Sequence, residues 1–282
     1  MDKRFLVFIG LTLAALALVF QPLQDLMESA KRSDYYSHII LIPLVTGYLI
    51  YSKKKELLGN PSPAYGMGGI LILLGLALYA LGFYQGKSLN FNDQPAILVL
   101  SAVVFWTGGF LLLYGLDAFR RNPFPFLFLV FMIPIPNIVL SKIIYALQLA
   151  STEVSEALFF LIGVPYQREG FVFHLPGVSI EVAEVCSGIR SSLALFITSI
   201  LAGHFFLDRF WKKAVLAVVV FPVTVFKNGV RIITLSLLGA YVDPRFLTGG
   251  FLHHSGGFLF FIPALALLGF ALWALRRQGY RK

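Results

Sequence analysis

Apolar runs of roughly 15 to 22 residues recur along almost the whole chain, each near the length a helix needs to cross a bilayer. Such runs read as membrane-spanning helices. Of the 282 residues, 58% are hydrophobic and 13% charged, whereas a soluble domain carries about 25% charged residues. The fold class predicted is all-α, a polytopic transmembrane helical bundle. A net charge of +9 would point to nucleic acid in a soluble protein. In a membrane chain, Lys and Arg collect on cytoplasmic loops, so the excess is read as topology, with lipids rather than nucleic acid as the surroundings.

Apolar runs taken as spans and polar breaks taken as loops give about eight spans, at residues 5–21, 38–51, 67–84, 95–116, 124–140, 187–207, 213–241 and 255–275. The N-terminal run resembles a signal peptide but lacks a small-x-small cleavage site before "QPLQDLM", so it is expected to stay as the first span. Lys3 and Arg4, "SKKKE" at 52–56, "RRN" at 120–122, "DRFWKK" at 208–213 and "RRQGYRK" at 276–282 then share one side. That side is read as cytoplasmic, with both termini inside. The loops with unusual chemistry face outward. No internal repeat is visible, and residues 1–282 are treated as a single integral-membrane domain.

The outer segment 137–186 has two parts. "NIVLSKIIYALQLASTEVSEALFFLIG" alternates apolar and polar residues at helical spacing, which predicts an amphipathic helix lying in the interface with Lys142, Glu153 and Glu156 on a solvated face. "VPYQREGFVFHLPGVSIEVAEV", punctuated by Pro176-Gly177, predicts a small extracytoplasmic β-like hairpin.

Several residues near the outer side could carry chemistry. Cys186 is the one cysteine, which excludes an intramolecular disulfide and leaves either an inert packing residue or a reactive thiol. It precedes "SGIRSSLALF", so it falls near a helix N-terminus, where unpaired N–H groups and the helix dipole favour a thiolate. Arg231 stands inside the seventh span, where a charge is expensive and marks function by default, although pairing with Glu181 or Glu184 is an alternative. Asn228, three residues earlier, shares its helix face. His253 and His254 open the eighth span. No acid or cysteine stands at ligand spacing, so no metal is read there, and one working imidazole is the better reading. His38 in "YYSHIILIP" is a candidate for lining the site, and Glu184, Arg190 and Arg168 are candidates for an ion-pair network holding the cysteine segment.

"GVPYQREGFVFHLP", "IEVAEVCSGIRSSLALF", "NGVRIITLSL" and "LHHSGGFLFF" in this order, with "YYSHIILIP" near the start, resemble the exosortase and archaeosortase family of integral-membrane cysteine transpeptidases over essentially the whole chain. The resemblance implies an enzyme that recognises a C-terminal sorting signal on exported proteins: a short motif such as Pro-Glu-Pro, a transmembrane helix and a basic tail. Such an enzyme cuts at the motif and passes the new C-terminus to an acceptor, often alongside exopolysaccharide production. It implies Cys186 as nucleophile, Arg231 as transition-state stabiliser and a histidine as general acid or base. His253, with Gly257 and Phe258 after it, fits that pattern better than His254. Histidine at this place points to the bacterial branch, and so to the inner membrane. No cofactor is implied. The competing readings are a transporter whose Arg231 and Lys227 line an anion path, and a non-catalytic scaffold for envelope polysaccharide.

Overall fold

The computed structural model describes residues 3–30, 38–59, 61–85, 89–90, 92–184, 187–243, 245–248 and 251–277. The helices are α1 (Lys3–Ala30), α2 (Leu41–Ser52), α3 (Lys54–Leu58), α4 (Tyr65–Gln85), α5 (Asp93–Tyr114), α6 (Leu116–Arg121), α7 (Phe124–Phe128), α8 (Asn137–Leu161), α9 (Ile189–Phe206), α10 (Phe210–Tyr241), α11 (Arg245–Thr248) and α12 (Phe251–Arg277). Between α8 and α9 lie three short strands: β1 (Gln167–Glu169), β2 (Val172–Leu175) and β3 (Val178–Glu181). Among the described residues seven helices are long and apolar enough to cross a membrane: α1, α4, α5, α8, α9, α10 and α12. The chain is a polytopic helical bundle with one small sheet.

Two expectations change. The predicted span 124–140 is not one helix: α7 gives way to a 3-10 turn, Leu129–Met132, and the helix stops at Ile133. The cause is "IPIP" at 133–136, because each proline pushes the residue before it out of the helical region. The predicted interfacial helix is instead α8, 25 residues long and apolar enough to cross. Four of its polar side chains, Gln148, Ser151, Thr152 and Ser155, are buried, while Ile138, Tyr145 and Phe160 are exposed; Lys142 and Glu153 stay exposed as expected. Buried hydroxyls packed against neighbouring helices are what a membrane-crossing helix of this composition is expected to carry. The predicted span 38–51 is α2, whose 12 residues rise only about 18 Å.

The chain divides into two compact units, Met1–Leu140 and Ser141–Lys282. In the first, α4 and α5 approach backbone to backbone. Gly68 and Gly75 face α5 seven residues apart, and a Cβ at either would sit 2.5 Å from Leu112 N or 2.8 Å from Phe105 N. Small residues at such spacing let apolar helices gain van der Waals contact where no hydrophobic effect drives association. Phe8, Phe110, Tyr114 and Phe126 form the aromatic core beside this pair.

In the second unit, α9, α10 and α12 pack around Leu195, Leu216, Val220, Ala264 and Leu268. Buried Lys212 in the first turn of α10 donates to the Leu275 carbonyl in the last turn of α12, 2.6 Å away. Lys212 also borders a polar cavity of about 470 Å³ with Asp208, Arg209 and Arg276, so α9 ends, α10 begins and α12 ends at one basic end. The sheet, ordered β1-β2-β3 with antiparallel pairing, exceeds the predicted hairpin by one strand. Gly170 and Gly177 make its two-residue turns at φ 61° and 80°, a region that glycine enters freely. Phe173 and Leu175 from β2 pack with Phe159 of α8 and Ile232 and Ile233 of α10, which fastens the sheet to the end of the unit away from the basic cluster.

Candidate active site

The segment after the sheet turns directly into α9. The N–H of Ser187 donates to the Glu184 carbonyl at 3.0 Å, and Gly188, at φ 76°, is the N-cap of α9. A residue with a Cβ would be strained at that φ. Gly188 also lies against α10: a Cβ there would meet Asn228 Oδ1 at 3.1 Å and Cγ at 3.2 Å. Asn228 is itself buried and donates through Nδ2 to Ser151 Oγ of α8, 3.0 Å away. One side chain therefore joins three helices under the turn that follows Cys186. Cys186 lies outside the described residues.

Gly229, next to Asn228, brings α8 and α10 close. A Cβ at 229 would sit 2.6 Å from Val154 Cγ1. Gln148 of α8 donates to the Val182 carbonyl at 2.6 Å, so the segment between β3 and the turn is also held from α8. Gln148 and Ser151 thus satisfy the Val182 carbonyl and the Asn228 amide, groups that would otherwise cost about 1–3 kcal/mol each to bury, while Thr152 and Ser155 bond back to carbonyls of α8 itself.

Arg231 is half-buried, less than one turn beyond Asn228 on α10, and its Nε is buried without a hydrogen-bond partner among the described residues. Among those residues no carboxylate bridges to it, so the alternative pairing with Glu181 or Glu184 is not made. Lys227, one turn before it, is buried and donates to Ser191 Oγ of α9. The spacing Lys227 to Arg231 inside an apolar span was a readable signal of this second cation.

The first turns of α12 carry His253 and His254, of which the backbone alone is described. Leu275 and Lys212 meet at the basic end. From them, His253 lies 22 residues back along α12 and Arg231 19 residues forward along α10, rises of about 33 and 29 Å. Both positions thus fall near the same far end of the unit as Gly188.

The predicted network of Arg168 with Glu184 and Arg190 takes another form. Arg168 on β1 pairs with Glu153 at 2.8 Å and with Glu156, both on α8, and its Nε donates to the Gly170 carbonyl at 2.9 Å. The Glu153 carboxylate holds the guanidinium pKa above its ordinary value. Arg168 is a clamp between the sheet and α8, and the glutamates expected on a solvated face are its partners. Glu184 and Arg190 are exposed. His38, half-buried, precedes α2 in the first unit and its carbonyl accepts from the Leu41 N–H at 3.0 Å.

Comparison with curated proteins finds no match, and neither does comparison with solved structures. A protein-family model described as transmembrane exosortase matches residues 28–270, a stretch that runs through both compact units and holds Cys186, Asn228, Arg231 and both candidate histidines. On that match over most of its length, the chain belongs to the transmembrane exosortase family.

Proposed function

We propose that this exosortase is a cysteine transpeptidase of the bacterial inner membrane, which cuts a C-terminal sorting signal from exported proteins and passes them to an acceptor. The observation that carries this reading is the seat of Gly188 on Asn228, which ties the turn after Cys186 to the face of α10 that bears Arg231. In this reading the Cys186 thiolate attacks the scissile carbonyl and a C–S bond forms. The oxyanion is held by the Arg231 guanidinium, whose Nε has no partner among the described residues. As the C–N bond breaks, His253, or His254 in its place, gives a proton to the leaving amine. The thioester is then resolved by an amine or other envelope nucleophile: a new acyl bond forms, the nucleophile's proton goes to the now neutral histidine, the C–S bond breaks and the thiolate returns.

Sidedness follows from the charges. Arg209, Lys212 and Arg276 mark one end of the second unit, and basic residues favour the cytoplasm. Arg231 stands about 29 Å along α10 from Lys212, close to the thickness of the hydrocarbon core. The reaction centre then faces the extracytoplasmic side, at the depth where a substrate's sorting motif leaves its own membrane helix. With α8 standing in for the broken span at 124–140, and α2 counted, both termini stay cytoplasmic.

The test is co-expression of Cys186→Ala with an exported protein bearing the motif, helix and basic tail. The expected result is accumulation of uncut substrate, and full processing by the Ala variant would end the proposal.

A further inference from the structure

Lys227 has no place in the mechanism above, yet it is 7% exposed inside a span. A buried ammonium costs several kcal/mol after relaxation, and among the described residues no carboxylate bridges to it. Leucine or methionine would fill the same volume without that cost. What Lys227 does touch is specific: Nζ donates to Ser191 Oγ, and Ser191 Oγ donates on to the Gly188 carbonyl at 3.0 Å. The Ser192 hydroxyl and N–H take the same carbonyl at 2.9 and 3.0 Å, so the last peptide group before α9 is held by the first turn of α9, and Lys227 joins that cluster through Ser191. Asn228, the next residue of α10, lies against the α-carbon side of the same glycine.

We infer that Lys227 is a positioning residue of the transpeptidase site, holding the Ser187-Gly188 turn through Ser191 and, with Arg231, supplying the positive charge that keeps Cys186 as a thiolate. This rests on the reading of Cys186 as nucleophile. The ionisable groups carried by the surrounding elements are Glu181 and Glu184 before the turn, Arg190 on α9, Arg231 on α10 and the histidines of α12. Glu153 and Glu156 of α8 are committed to Arg168. Glu181, Glu184 and Arg190 are exposed, where water screens them. That leaves buried Lys227 and half-buried Arg231, one turn apart on α10, and Cys186, two residues before Gly188 in the sequence, is the group able to become an anion near that turn.

Because Cys186 is the one thiol, its reaction with iodoacetamide can be followed against pH in the full-length protein without background. Lys227→Met should slow alkylation at neutral pH about tenfold and move the midpoint of the pH profile up by about one unit. Lys227→Arg should keep the midpoint near that of the unaltered protein. Ser191→Ala, which keeps the charge and breaks the Ser191 link, should reduce substrate processing while leaving the alkylation midpoint in place. A Lys227→Met protein with unchanged midpoint and unchanged processing overturns the inference. If that variant is not recovered from membranes, unaltered processing by Ser191→Ala overturns it alone. Alkylation needs no substrate, so this outcome is separate from the Cys186→Ala test: normal processing by Cys186→Ala removes the nucleophile, whereas an unmoved midpoint removes only the part given to Lys227.

Discussion

Asn228 of α10 lies directly beneath Gly188 at the start of α9, close enough that a Cβ on the glycine would come within 3.1 Å of the amide oxygen. The glycine is needed twice over, for its φ of 76° and for the space it leaves. Since Asn228 also holds Ser151 on α8, the orientation of the turn after Cys186 is set by two helices that are distant in sequence.

Gly188→Ala tests that seat. The left-handed backbone costs an alanine about 1–2 kcal/mol, and the contact with Asn228 adds to it, so the turn should shift while the spans, held by their own cores, stay folded. Processing should fall at least tenfold with membrane expression near normal. Pairing with Asn228→Ser should recover part of it, and activity assays on the single and double variants decide.

Gly229→Ala pushes α8 away from α10, because the new methyl would stand 2.6 Å from Val154 Cγ1 and 3.2 Å from its Cβ. Overpacking of this kind costs about 1–3 kcal/mol. Thermal unfolding in detergent should show the loss, and Val154→Ala added to it should restore most of the stability. An additive double variant would mean that the two residues do not meet.

Arg231→Lys keeps the charge and loses the planar fork that presents several N–H donors at fixed angles. If the guanidinium holds the oxyanion, processing should drop about a hundredfold or more with substrate still captured. A lysine variant that processes at the normal rate would leave charge alone as the requirement.

Arg168→Met separates holding from chemistry. Its pairs with Glu153 and Glu156 are partly open to solvent, with Glu153 59% exposed, and pairs of that kind are worth about 0.2–1 kcal/mol each. The melting temperature should fall by about 2–4 °C, less at high salt, and processing should persist. Abolished processing with an unchanged melting temperature would place Arg168 in the site.

The sequence by itself determined the class, a multi-pass membrane protein, and the family. Recurring long apolar runs lead to a bundle of membrane helices, and the order of "CSGIR", "NGVR" and "LHH" pieces carries the family. It could not determine which way α8 faces. Helical periodicity separates two faces but does not say which is inside: Gln148 and Ser151 are buried partners of Val182 and Asn228, while Lys142 and Glu153 stay exposed. Nor could it break the span at 124–140 with certainty, since hydropathy counts prolines as ordinary residues while the backbone does not. Tertiary structure also decided the partners. Arg168 with Glu153, Lys227 with Ser191 and Asn228 with Gly188 are meetings across 15, 36 and 40 residues. Such pairs depend on where packed helices bring their faces, a quantity that no local pattern encodes.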